Sequence, residues 1–166
     1  NNLKDYTFKS DYKWDILKGN QVDFGYFLTS NDISYSYSQN DTTTIIDRHN
    51  YGVITGVFLQ DKIQLISNKL TLLPGIRFNY YTPTLKIYSE PRFSVNYDIN
   101  KKIKIKAATG KFYQFINRVL REDIMAGNKE MWILSDNNKV PVSYATHYIL
   151  GTSYETKDFL LNIEAY

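Results

Sequence analysis

The stretch PRFSVNYDINKKIKIKAATG (residues 91–110) carries two kinds of row at once. Phe93, Val95, Tyr97 and Ile99 take every second position, with Arg92, Ser94, Asn96 and Asp98 between them. A polar turn follows, and the alternation resumes with Ile103, Ile105 and Ala107 against Lys102, Lys104 and Lys106. Side chains along a β-strand point to opposite faces with a period of two. The stretch is therefore a hairpin of two-faced strands, apolar on one side and charged on the other.

The same pattern extends in both directions. In residues 5–16, Tyr6, Phe8, Tyr12, Trp14 and Ile16 share one face, and Asp5, Thr7, Lys9, Asp11, Lys13 and Asp15 the other. The turn LKGN (17–20) leads to a strand with Val22, Phe24, Tyr26 and Leu28. After residues 29–31 the apolar phase passes to Ile33, Tyr35 and Tyr37. A one-residue slip exchanges the faces of a strand, so this predicts a bulge or kink. SQNDTTTIIDRHN (38–50) reads as a polar loop.

Residues 51–66 form the next strand, with Val53, Val57, Leu59, Ile63 and Leu65 in its apolar row and Asp61 interrupting it. From residue 70, Leu70, Leu72, Ile76, Phe78 and Tyr80 share a face. Pro74 lies inside that strand and has no N–H to donate, which predicts a bulge or a missing ladder bond. The longest irregular segment is 116–142. Within it NRVLREDIMAG spaces Val119, Leu120, Ile124 and Met125 for a short helix. Strands over 143–155 and 159–165 bring the expected number to about eight.

The connections sort by length. LKGN, SNK, DINK and TKD are tight; 38–50 and 116–142 are long, with the short TPTLK (82–86) between them in order. If neighbouring strands are antiparallel, all four tight turns lie at one end. Short turns at one end and longer loops at the other mark transmembrane β-barrels. A soluble sandwich has no reason to segregate its loops in this way.

Composition agrees. The chain has 166 residues, enough for one domain, with 15 Tyr, 9 Phe and 2 Trp, a content that suits both pleated strands and a membrane-interface belt. Tyr6, Trp14, Tyr35, Tyr37, Tyr80, Tyr81, Tyr97, Tyr144 and Tyr166 gather toward strand ends, as aromatic girdles do. The net charge of +3 is too mild, and the basic residues too dispersed, for a nucleic-acid surface. There are no cysteines, so no disulfide or thiolate metal site. Mean hydropathy is −0.41, and no apolar run approaches the ~18 residues of a membrane-spanning helix. The opening NNLKDYTF has no apolar signal-peptide core.

Three stretches resemble a known family. FLQDKIQLISNKLTLLPGIRFNYY (58–81) is similar to a strand–turn–strand of TonB-dependent outer-membrane receptors. EPRFSVNYDINKKIKIKAATGKFYQF (90–115) resembles the hairpin that follows, with its "EPR-S" entry and "QF" exit. GNKEMWILSDNNKVPVSYATHYILGTSYET (127–156) resembles the next extracellular loop and strand of the receptors common in Bacteroidetes. The resemblance implies an all-β fold of antiparallel up-and-down transmembrane strands, about eight of them, belonging to a larger barrel of about 22. It implies that residues 1–166 are an interior segment of that barrel without the plug domain. It also implies a transporter, not an enzyme, in the outer membrane of a Gram-negative bacterium, importing a scarce nutrient. The implied partners are outer-membrane lipid, the remainder of the barrel and its plug, TonB acting through the plug, and a surface lipoprotein or other complex partner; nucleic acid is not among them.

No catalytic constellation and no cofactor or metal motif is present in the sequence. His49 and His147 read as solvated histidines, and the Lys102, Lys104 and Lys106 row as a wetted strand face. If the resemblance holds, ligands meet the extracellular loops, where the candidates are Asp47, Arg48, His49, Arg118, Arg121, Glu122, Asp123, Lys129 and Trp132. Trp132, in KEMWIL, is the strongest of them because aromatic anchors dominate recognition energetics. The plain alternative is that Met131, Trp132, Ile133 and Leu134 pack the loop onto the barrel rim or meet a partner protein. Two other architectures fit the alternation: a complete eight-stranded outer-membrane barrel with a structural or adhesive role, and a soluble β-barrel enclosing a small apolar ligand.

Overall fold

The structure, a computed structural model, describes residues 2–39, 43–66, 69–121 and 129–166. Among the described residues there are ten strands: β1 (Asn2–Leu17), β2 (Asn20–Gln39), β3 (Thr43–Leu65), β4 (Leu70–Tyr81), β5 (Lys86–Asp98), β6 (Ile103–Gln114), β7 (Ile116–Arg121), β8 (Lys129–Leu134), β9 (Ser143–Glu155) and β10 (Leu160–Ala165). Eight of them form one antiparallel sheet in the order β1-β2-β3-β4-β5-β6-β9-β10, and β7 pairs with β8 as a separate hairpin. The sheet is an up-and-down meander, as the alternation predicts.

The turns β1–β2, β3–β4, β5–β6 and β9–β10 all lie at one end. Each is tight for a local reason. Gly19 takes φ +90°, a left-handed conformation that suits glycine. Asn100 Oδ1 accepts the N–H groups of Lys102 and Ile103 at 2.8 and 2.9 Å. Thr156 Oγ1 accepts those of Asp158 and Phe159 at 3.3 and 3.2 Å.

The register fixes two faces. Tyr12–Phe24–Leu59–Ile76–Pro91 and Tyr97–Ile105–Thr152–Ile163 are runs of directly opposed residues on the outer face. Its large side chains are exposed, Trp14 at 62% and Tyr148 at 70%. An exposed apolar sheet face of this extent suits contact with lipid. The small buried core lies on the opposite, inner face at the long-loop end: Ile33, Tyr35, Tyr81, Phe115 and Leu134.

Four expectations change. Residues 38–39 and 43–50 are strand and not loop: β2 and β3 continue paired beyond the sheet, with Tyr35 opposite Arg48, Ser36 opposite Asp47 and a register shift after Tyr37; residues 40–42 lie outside the described residues. Hydroxyl and β-branched residues (Thr43, Thr44, Ile45, Ile46) favour strand even where the stretch is polar. No bulge interrupts residues 29–31, because pairing with both neighbours runs through them unshifted. The apolar phase changes because Ile33 and Tyr35 are buried on the inner face. Tyr35 and Tyr81 accordingly belong to the inner core and not to a lipid-side girdle. The helix expected in 117–127 is absent over 117–121, where β7 pairs with β8 instead; residues 122–128 lie outside the described residues. Pro74 behaves as expected of a missing ladder bond. Pairing of β3 with β4 passes from Gln60–Gly75 to Ile63–Leu72 without the two intervening pairs, while the β5 side continues through Pro74–Phe93.

Candidate functional site

The inner face carries a band of rings and cations at mid-strand. Gly25 of β2 lies opposite Phe58 of β3, and Phe27 opposite Gly56. A Cβ on Gly25 would sit 2.6 Å from the Phe58 ring, and one on Gly56 would sit 2.8 Å from the Phe27 ring. The two glycines thus let both rings lie down across the neighbouring backbone. The Arg77 guanidinium stacks on these rings, 5.2 Å from the Phe27 centroid and 5.9 Å from that of Phe58, and Lys9 approaches Phe58 at 5.7 Å.

Beside them Arg92 donates to Glu90 at 3.0 Å and lies 5.0 Å from the centre of Phe112. His147 meets Phe112 edge-on at 5.3 Å. Glu90 is buried, and its second oxygen accepts the Tyr113 N–H at 2.9 Å, above the last paired residues of β5 and β6, Arg92 and Gly110. The Nε groups of Arg77 and Arg92 are buried without a hydrogen-bond partner, as are both polar side-chain atoms of Asn31 and the Asn79 oxygen. The wall thus combines guanidinium groups with flat aromatic surface.

Hairpin β7–β8 folds over the upper part of this wall. Tyr81 is fully buried, its ring 4.7 Å from that of Phe115, and its hydroxyl donates to the Phe115 carbonyl at 3.3 Å. The same carbonyl accepts the Ser135 N–H at 2.8 Å, so both ends of the hairpin are tied at one point. Leu134 approaches β3 over Gly52, where an added Cβ would lie 3.0 Å from its methyl group. Asn117 donates to Ser135 Oγ at 2.8 Å, and Asn137 to the Tyr88 hydroxyl at 2.9 Å.

The loop after β8 is held by Asp136, whose Oδ1 accepts the N–H groups of Asn138, Lys139 and Val140 at 2.9, 2.8 and 3.0 Å. These bonds, that from Val140 first, favour the carboxylate and hold its pKa below the ordinary value. A depressed folded-state pKa gives a contribution that is complete above the unfolded value and lost as pH falls through the folded one. Titration of the Asp136 carboxyl carbon by NMR is therefore expected to show a midpoint below ~3.9. Loosening of residues 137–140 accompanies it on the acid side only, and a midpoint at or above that value would contradict the geometry.

The sequence-predicted site residues fall into two groups. Arg118 is directly opposite Trp132 across β7–β8, and Arg121 opposite Lys129 farther along. His49 lies on β3 and pairs through Nε2 with Asp32 Oδ1 at 2.5 Å, on the outer-facing row and not the lumenal one. Asp47 and Arg48 are in the same strand opposite Ser36 and Tyr35. Glu122 and Asp123 lie outside the described residues. Of the KEMWIL segment, Leu134 is buried against the wall as the rim-packing alternative requires, while Trp132 stays exposed. Arg77, Arg92, Phe27, Phe58 and Phe112 were not singled out by sequence. The signal was present as aromatics in a polar row, with Phe27 opposite Gly56, Phe58 opposite Gly25 and Phe112 two residues beyond Gly110.

The family described as "TonB dependent receptor-like, beta-barrel" matches residues 1–129. No curated protein matches the chain. Among solved structures, a mutant ferric enterobactin receptor (PfeA) of Pseudomonas aeruginosa in complex with enterobactin is 14% identical with a TM-score of 0.73, covering 98% of this chain and 26% of its own. The siderophore receptor PirA of the same organism is 11% identical with a TM-score of 0.74, covering 98% of this chain and 31% of its own. PirA of Acinetobacter baumannii is 9% identical with a TM-score of 0.67, at 98% and 26%. The chain thus spans between about a quarter and a third of the length of these receptors, and the likeness to them is one of fold. An eight-stranded sheet with an exposed apolar face, segregated turns and the family match lead to one conclusion: this chain belongs to the TonB-dependent receptors of the Gram-negative outer membrane, as part of their β-barrel.

Proposed function

We propose that residues 1–166 form one sector of the barrel of a nutrient importer, with the plug and the other strands supplied by the rest of the receptor and TonB acting through the plug. Ligand is captured by the extracellular hairpins, with Trp132 and Arg118 as the main candidate contacts and Arg121, Glu122, Asp123, Lys129, Asp47, Arg48 and His49 as further candidates. The solved receptors of like fold are named for ferric enterobactin and for siderophores, and we carry that class over: an iron chelate with planar, anionic groups. The observation that supports it is the inner wall, where Arg77 and Arg92 lie against Phe27, Phe58 and Phe112. Guanidinium and ring surfaces together suit an anion with a flat face.

The test is equilibrium binding of ferric enterobactin to the full-length receptor. Trp132→Ala is expected to weaken it about tenfold or more, the usual effect of removing an aromatic anchor. Wild-type affinity in that variant would remove Trp132 from the site. Failure of the unmodified receptor to bind any ferric chelate would remove the ligand class.

A further inference from the structure

On the outer face, Thr109 and Ala107 of β6 are small residues between large neighbours. They lie opposite Tyr148 and Leu150 of β9 on one side and opposite Phe93 and Val95 of β5 on the other. The result is an open groove of about 420 Å³ along the wall, lined almost wholly by carbon. At its upper end, two residues beyond Thr109 on the same strand face, stands Lys111. Its ammonium lies 4.7 Å from the centre of the Tyr113 ring and 4.4 Å from that of Tyr144. Tyr113 is itself fixed between Tyr144 at 6.0 Å and Tyr88 at 4.9 Å.

Three features set this lysine apart. It shares a face with lipid-exposed Tyr148, where a cation is tolerated only near the interface. It lies three residues from the extracellular end of β6, beside the upper tyrosines. Among the described residues no carboxylate pairs with it, as with most lysines of the chain, so on this apolar face its charge has no partner. Ring contacts hold the amine against the wall, and its positive charge has no counter-ion among the described residues.

We propose that Lys111 and the groove beneath it form a binding site for a phosphorylated lipid of the outer leaflet, its phosphate on Lys111 and one acyl chain along Ala107 and Thr109. Charge complementarity selects the headgroup, and the carbon-lined groove selects a chain over free phosphate. The site is independent of whatever nutrient the receptor takes.

The test is native mass spectrometry of the full-length receptor in mild detergent, titrated with bisphosphorylated lipid A. Lys111→Gln is expected to weaken lipid binding about fivefold, the effect of one cation near an anionic surface, and Lys111→Arg to retain it. Ala107→Phe, which fills the groove with the cation intact, is expected to weaken it as well. Glycerol 3-phosphate is expected not to compete. Equal lipid retention by Lys111→Gln and the unmodified receptor would overturn the proposal, as would effective competition by glycerol 3-phosphate, which would make this a site for free phosphate. The heat-dependent gel mobility of the barrel reports folding of each variant.

Discussion

Replacing Tyr81 by alanine is expected to release hairpin β7–β8 from the inner wall while the eight-stranded sheet stays intact. Tyr81 is 0% exposed and provides the surface on which Phe115 rests. Its hydroxyl also reaches the Phe115 carbonyl, the point at which Ser135 closes the base of the hairpin. Loss of a buried ring of this size costs ~3–5 kcal/mol. The sheet does not carry that loss, because Tyr81 is at the end of β4 and its ladder bonds are backbone ones. The hairpin carries it, because Phe115 at its base packs on the Tyr81 ring.

Hydrogen exchange of residues 116–121 and 129–134 in the full-length receptor should accelerate by two or more orders of magnitude. The amides of β4 to β6 should remain as they were. Tyr81→Phe keeps the ring and loses one hydrogen bond of ~0.5–1.5 kcal/mol, so protection of the hairpin should fall only modestly. Unchanged exchange in Tyr81→Ala would mean that the hairpin is held by other contacts.

Replacing Gly56 by valine is expected to destabilise the barrel wall itself. A Cβ there meets the Phe78 carbonyl as well as the Phe27 ring at 2.8 Å. One obstacle is backbone in the middle of the sheet and cannot move without breaking the β3–β4 pairing of Gly56 with Asn79. The other is the ring on which Arg77 stacks. Overpacking of this kind costs ~1–3 kcal/mol. It should appear as a lower midpoint in denaturant unfolding of the folded receptor in micelles. Gly75→Ala is the control, since its Cβ meets the flexible Gln60 side chain at 3.3 Å, and its midpoint should hold or rise slightly. Equal effects of the two substitutions would show that the Phe27 ring is not pinned to Gly56.

The strands were legible because the period of two is written in the residues themselves. Lipid on one face and water on the other punish any break in the alternation, so 91–110 and 5–16 read directly as strands. The direction of the meander followed from turn length alone, because a tight turn joins only adjacent antiparallel strands. Pro74 announced its missing ladder bond by lacking an N–H. Polarity misled at 38–50, where a hairpin in water needs no apolar row and the strands are held by backbone pairing and β-branched residues. Helical spacing misled at 117–121 because a six-residue segment fits several periods at once.

The site was legible only in part. Trp132 and Arg118 could be named from sequence, but that they face each other across a hairpin could not, since it depends on which residue of β8 opposes which of β7. Arg77, Arg92 and Phe58 are scattered along three strands, and only the register sets them side by side.

The sequence by itself determined the eight strands of the sheet, the two faces along most of their length and the end at which the tight turns lie, because these follow from local alternation and chain connectivity. The tertiary structure alone decided that Ile33, Tyr35 and Tyr81 turn inward, that a hairpin closes over them, and that Lys111 stands above a groove on the lipid side. Those features depend on inter-strand register and on how a distant segment folds back, and neither is encoded in any one strand.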